Sequence, residues 1–86
     1  KMKNLFNPKN IAVIGASSKP NSVGNVIFKN VLNYNKKVYG INIKQEIISR
    51  HKTYKSIKDV PEKQIDLVII AIPQRFVIDV LKESAF

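Results

Sequence analysis

Two short apolar runs dictate most of what this chain can become. Residues 10–15 read "NIAVIG" and residues 66–72 read "DLVIIAI". Apolar and polar residues do not alternate in either, so neither suits a strand with one wet face. Continuous β-branched runs of this kind suit strands of a parallel sheet that is covered on both sides. A third segment, "KVYGIN" at Lys37–Asn42, lies between them and reads as a further strand. Between the first and second strands Val23, Val26, Ile27, Val31 and Leu32 recur at helical spacing. Asn21 or Ser22 can cap that helix through a side-chain oxygen. The helix is expected to end at Asn33–Asn35, because asparagine tolerates the left-handed conformation that closes helices.

The remaining segments complete an alternating pattern. "SIKDVPE" predicts one helical turn capped by Ser56 and stopped by Pro61, and "KTY" at Lys52–Tyr54 predicts a short edge strand. Pro73 is placed to open a second helix, with Phe76, Val77, Val80 and Leu81 on one face, since proline loses nothing in a first helical turn. Strands alternating with helices specify an α/β fold, a Rossmann-like doubly wound parallel sheet. "DLVIIAI" should lie beside "NIAVIG", with "KVYGIN" on the other side of that strand. Ligands of such sheets bind where the chain reverses direction, at the carboxyl ends of the strands. "GASSKPNSVG" and "AIPQRF" should therefore face one crevice. After the last expected helix no strand follows, so residues 1–86 are expected to be the front part of a domain truncated at its C-terminus, within a longer protein.

Composition removes several function classes. There is no cysteine and a single histidine, His51, which is expected to be a solvated loop residue. Thiolate metal sites and disulfides have no material, a histidine cluster almost none, and no metal site is expected. The apolar runs are too short to span a bilayer, so a cytoplasmic protein is expected. The net charge is +9, and residues 1–45 hold eight lysines and no acid. That distribution around a turn favours an anionic partner. A nucleic-acid role is disfavoured, because only two arginines occur and the aromatics form no stacking platform.

The turn after the first strand has the chemistry of a phosphate site. A helix N-terminus offers unpaired amides and the positive end of the helix dipole. Gly15 permits a tight exit from the strand, Ser17 and Ser18 add hydroxyls, Lys19 adds charge, Ser22 can cap, and Gly24 permits a close approach by the first helical turn. The pattern is neither G-x-G-x-x-G nor a P-loop, since Ser17 stands at the second glycine position and no Gly-Lys-Ser/Thr follows. NAD sites place an acid at the end of the second strand to hold ribose hydroxyls. Here the segment ends Asn42-Ile43-Lys44, and Lys44 would instead attract a ribose phosphate. That leaves NADP and coenzyme A. Ile72 and Pro73 offer an apolar shelf for an adenine or a pantetheine arm. Arg75 is within sequence reach of a phosphate, and Phe76 reads as core.

"LFNPKNIAVIGASSKPNSVGNVIFKNVL", "KVYGIN-IK" and "Y-KSIKDVPEKQIDLVIIAIP" resemble the N-terminal coenzyme A-binding domain of the NDP-forming acyl-CoA synthetases. Within that group the ADP-forming acetate–CoA ligases are nearer and the succinyl-CoA synthetase α subunit more distant. The resemblance covers nearly the whole chain, and "GAS-x-x-x-x-SVG" and "DLVIIAIP" are its most specific parts. It implies that Ser17, Ser18 and Lys19 wrap the coenzyme's phosphates, that Lys44 approaches the nucleotide end, and that Ile72 and Pro73 line the pocket. The family often has Pro-Gly-Ser where this chain has Pro20-Asn21-Ser22, and Asn-Pro-Lys where it has Asn42-Ile43-Lys44. It further implies a domain that only holds coenzyme A. The ligase chemistry would run through a phosphohistidine domain and an ATP-grasp domain elsewhere, and this segment shows no catalytic residues. The alternatives are an NADP-binding domain of an oxidoreductase, a stand-alone coenzyme A-binding regulatory protein, or a relative fused to an acetyltransferase.

Overall fold

The computed structural model describes residues 8–34, 37–73 and 75–80. Within these residues six strands form one sheet: β1 (Asn10–Ile14), β2 (Lys37–Ile41), β3 (Ile47–Ile48), β4 (His51–Tyr54), β5 (Leu67–Ile72) and β6 (Arg75–Val80). Among the described residues one α-helix, α1 (Val23–Tyr34), joins β1 to β2, and one 3-10 turn spans Ile57–Asp59. The strand order is β3-β4-β2-β1-β5-β6. As the apolar runs require, β1 is central and pairs in parallel with β2 on one side and β5 on the other. β4 continues the parallel set beside β2, whereas β3 and β6 are antiparallel additions at the two edges.

Burial of β1 on both faces explains its unbroken apolar sequence. Ile11 and Val13 face α1 and join Ala16, Phe28, Val38, Ile48 and Ile69. Ala12, between them, faces the other way and packs with Ile41, Val60, Ile65 and Val68 under the 3-10 turn. Strand β1 is held at its start by Asp66, whose Oδ2 accepts from the amides of Lys9 and Asn10 at 2.9 and 3.2 Å. The Asp66 amide returns a 2.8 Å bond to the Asn10 carbonyl. This lock sets the β1–β5 register, and through it the level at which both strands end.

Several expectations need correcting. The segment after Pro73 is not a helix but the strand β6, paired with β5 from Leu67↔Val80 to Ile72↔Arg75. In "RFVIDV" three of six residues are β-branched, and the free edge of β5 carries backbone groups that a hairpin satisfies at once. Pairing with the adjacent edge outweighs the helical spacing of Phe76, Val77 and Val80; Leu81 lies outside the described residues. "KTY" is not an edge strand, because β3 covers β4, and His51 is the first residue of β4 rather than a loop residue. On α1, Val26 is exposed, whereas Phe28, which the periodicity missed, is fully buried. The 3-10 turn follows expectation: Ser56 Oγ accepts from the Lys58 amide at 3.2 Å. Among the described residues, no helix is long and apolar enough to cross a membrane.

Candidate functional site

The turn between β1 and α1 begins with Gly15 at φ +91°, a conformation that side chains oppose. A Cβ there would also lie 2.4 Å from the Ala71 carbonyl oxygen, so the turn leaves β1 pressed against the end of β5. The Gly15 amide donates to the Ile41 carbonyl at 3.0 Å, which ties the same point to the end of β2. The turn thus sits across the carboxyl ends of the three central strands, where the topology places a ligand crevice.

A tight turn then aims the helix. The Ser22 amide bonds the Lys19 carbonyl at 3.2 Å, with Pro20 second and Asn21 third at φ +66°. Proline followed by a positive φ is the type II pattern, and glycine is the residue that best suits the third place. Asn21 therefore holds a conformation that glycine would suit better. Ser22, not Asn21, caps α1: its carbonyl accepts from Val26 at 2.9 Å and its Oγ from Asn25 at 3.2 Å. The amides of Val23 and Gly24 are not hydrogen-bonded among the described residues and form the positive end of the helix, with Val23 half-buried and Gly24 buried.

The polar residues named from sequence divide by role. Ser17 Oγ accepts from the Lys19 amide at 3.0 Å and shapes the loop. Ser18 and Lys19 are exposed on the rim. Asn42, at the end of β2, is a brace: its Nδ2 donates to the Ala16 carbonyl at 2.8 Å, and its Oδ1 accepts from the Lys44 amide at 2.6 Å. That second bond holds the exposed Lys44 beside the turn. Ile72 is half-buried and Pro73 exposed at the end of β5. The side chains of Arg75 and Phe76 lie outside the described residues, so their expected contacts do too. His51 is exposed, with Nδ1 2.8 Å from the Ser49 carbonyl, and its ring stands perpendicular to that of Phe28 with the centroids 6.2 Å apart. With Lys29, Leu32, Asn33 and Ser49 it lines an open groove of about 500 Å³ at the opposite end of α1 from the turn.

Three residues were missed. Asn25 is buried and fixes the loop by donating from Nδ2 to the Ser17 carbonyl at 2.9 Å. Buried Thr53 donates from Oγ1 to the Glu46 carbonyl at 2.6 Å. Glu46 itself reaches the turn, where its Oε1 accepts from the Ser18 amide and from Asn42 Nδ2, each at 3.1 Å. Donation from Ser18 chiefly, with the charge of Lys44 and the Asn42 amide adding to it, holds the Glu46 carboxyl below its usual range. The acid-free count of residues 1–45 stopped one position short of it, and nothing in the pattern marks Asn25 or Thr53 as special.

A family model described as "CoA binding domain" matches residues 9–85. The chain belongs to the CoA binding domain family. Among curated relatives, the α subunit of ADP-forming acetate–CoA ligase II from Pyrococcus furiosus is 46% identical over 80 residues, which cover 92% of this chain and 17% of that one. The ADP-forming acetate–CoA ligase of Methanocaldococcus jannaschii is 44% identical over 82 residues, 95% of this chain and 12% of that protein. A solved protein from Pyrococcus horikoshii OT3 superposes with a TM-score of 0.75 at 51% identity, over 86% of this chain and 17% of that chain. This coenzyme A-binding domain thus spans under a fifth of the length of these relatives. It is homologous to a part of ADP-forming acyl-CoA synthetases, and the oxidoreductase alternative falls away. The Rossmann-like fold expected from the strand pattern is that of its structural neighbour.

Proposed function

We propose that this domain binds coenzyme A with its diphosphate on the turn from Gly15 to Gly24. In this reading the Val23 and Gly24 amides and the Ser17 and Ser18 hydroxyls receive phosphate oxygens, and Lys19 supplies charge. Lys44 faces the ribose 3′-phosphate, and Ile72 and Pro73 carry the pantetheine arm. Asn42 and Ser22 act by holding the loop, which places them in the site as supports. The observation that carries the reading is the pair of unbonded α1 amides at the strand ends, delivered there by Gly15 at positive φ. Such amides need no side-chain charge to attract phosphate.

The whole protein, in this reading, is a cytoplasmic ADP-forming acid–CoA ligase of the acetate–CoA ligase type, and residues 1–86 are the N-terminal part of its coenzyme A-binding domain. Coenzyme A is then a substrate held for chemistry done elsewhere, by phosphohistidine and ATP-grasp domains. Differential thermal denaturation with coenzyme A, dephospho-coenzyme A, NADP and NAD tests the binding step. A ligand that binds only the folded state raises the melting temperature. Coenzyme A should stabilise most, and loss of the 3′-phosphate should weaken binding roughly tenfold, the worth of one charge-assisted contact. A larger response to NADP than to coenzyme A overturns the reading.

A further inference from the structure

We propose that Glu46 is an internal stand-in for phosphate on this turn, one that a bound ligand must displace. The inference rests on the coenzyme A reading above. A single carboxylate oxygen, Oε1, takes the Ser18 amide and Asn42 Nδ2 at 3.1 Å each. Two N–H donors converging on one anionic oxygen is the arrangement a phosphate oxygen would take in the same place. The carboxylate is also delivered there by construction. Buried Thr53 clamps the Glu46 carbonyl through its amide at 3.2 Å and its Oγ1 at 2.6 Å. Gln45, at φ +54°, folds the chain back so that its amide bonds the Asn42 carbonyl at 2.9 Å. The backbone of Glu46 is therefore fixed by the core, and its side chain has the length to reach the turn.

The consequence is competition. A diphosphate seated on the Val23 and Gly24 amides brings negative charge toward the Glu46 carboxylate, and the Ser18 amide can serve only one of them well. When Glu46 swings out, Ser18 is released to the ligand and Asn42 keeps its bond to the Ala16 carbonyl. Glu46 thereby lowers affinity for any anion on the turn and keeps the loop in its binding shape when no ligand is bound.

The test is calorimetric titration of the chain and its Glu46→Gln variant with coenzyme A and, separately, with inorganic diphosphate. Glutamine keeps a side-chain oxygen for the Ser18 amide and removes the charge. The variant should bind both probes about fivefold more tightly, the size of one unit-charge repulsion near water. In the wild-type chain, saturating diphosphate should shift the ¹³C resonance of the Glu46 carboxylate. Should the variant fail to fold, that resonance decides alone. Equal or weaker binding by a folded variant, or an unmoved resonance while the wild type binds, overturns the stand-in and leaves the coenzyme A reading intact. No binding of either probe by either protein overturns both.

Discussion

Gly24 packs its backbone directly onto Gly15: a Cβ built on Gly24 would lie 1.9 Å from the Gly15 carbonyl oxygen. The two glycines bracket the turn, one giving the exit from β1 and the other letting α1 settle against it. Replacing a helical glycine by alanine ordinarily stabilises a helix by about 1 kcal/mol. Here the sign should reverse. Gly24→Ala must push α1 off the turn and should cost about 2–3 kcal/mol, as overpacked sites do. Urea denaturation checks it, with Val26→Ala, an exposed site on the same helix, expected within about 0.5 kcal/mol of wild type.

The β3–β4 hairpin turns through Ser49 and Arg50, at φ +50° and +68°. Two successive positive φ values define the type I′ turn, which fits the twist of paired strands but favours asparagine and glycine. Arg50→Gly should therefore stabilise the chain by about 1 kcal/mol, by relieving left-handed strain. Thermal denaturation should show a higher midpoint, and a lower one would mean that the arginine side chain makes a compensating contact.

Glu46 gives the pH dependence a sign. Its carboxyl is held below the ordinary value of 4.5, mainly by the Ser18 amide. A depressed folded-state pKa means that the charged form favours the folded chain. That contribution is complete above about pH 4.5 and is lost as the pH falls through the lower folded value. The acid limb of a melting-temperature profile should thus be shallower in Glu46→Gln than in wild type.

Lys44 is positioned by its own amide, which bonds Asn42 Oδ1, while its side chain remains exposed. Lys44→Ala should leave stability within about 0.5 kcal/mol. It should also erase the preference for coenzyme A over dephospho-coenzyme A. Competitive titration of the two ligands checks this, and a preference that survives would assign the 3′-phosphate to another cation.

What was legible in the sequence was whatever a continuous apolar run or a small-residue turn encodes locally. β1 and β5 were readable because burial on both faces leaves long apolar runs, β2 because its short run falls between a helix and the next turn, and the doubly wound pattern set their order. The turn was readable because Gly15 and Gly24 sit where only a bare backbone fits. β6 was misread because "FVIDV" satisfies both helical and strand spacing, and the choice depends on which hydrogen-bonding edge is near. Phe28 was missed because Gly40, on β2 beneath α1, makes room for it, with a Cβ there only 3.0 Å from the ring. Glu46 was missed for a similar reason: its reach to Ser18 depends on the fold of residues 42–46 and the Thr53 clamp, which no local pattern announces.

In the proposed binding mode the helix-end amides of the Gly15–Gly24 turn hold the phosphates of coenzyme A. Amide chemical-shift mapping during a coenzyme A titration is the decisive experiment. The largest changes are expected at Ser17, Ser18, Val23 and Gly24, with a second set at Asn42 and Lys44. Changes concentrated instead on Lys29, Asn33 and His51, around the groove at the far end of α1, or no changes at saturating ligand, would contradict it.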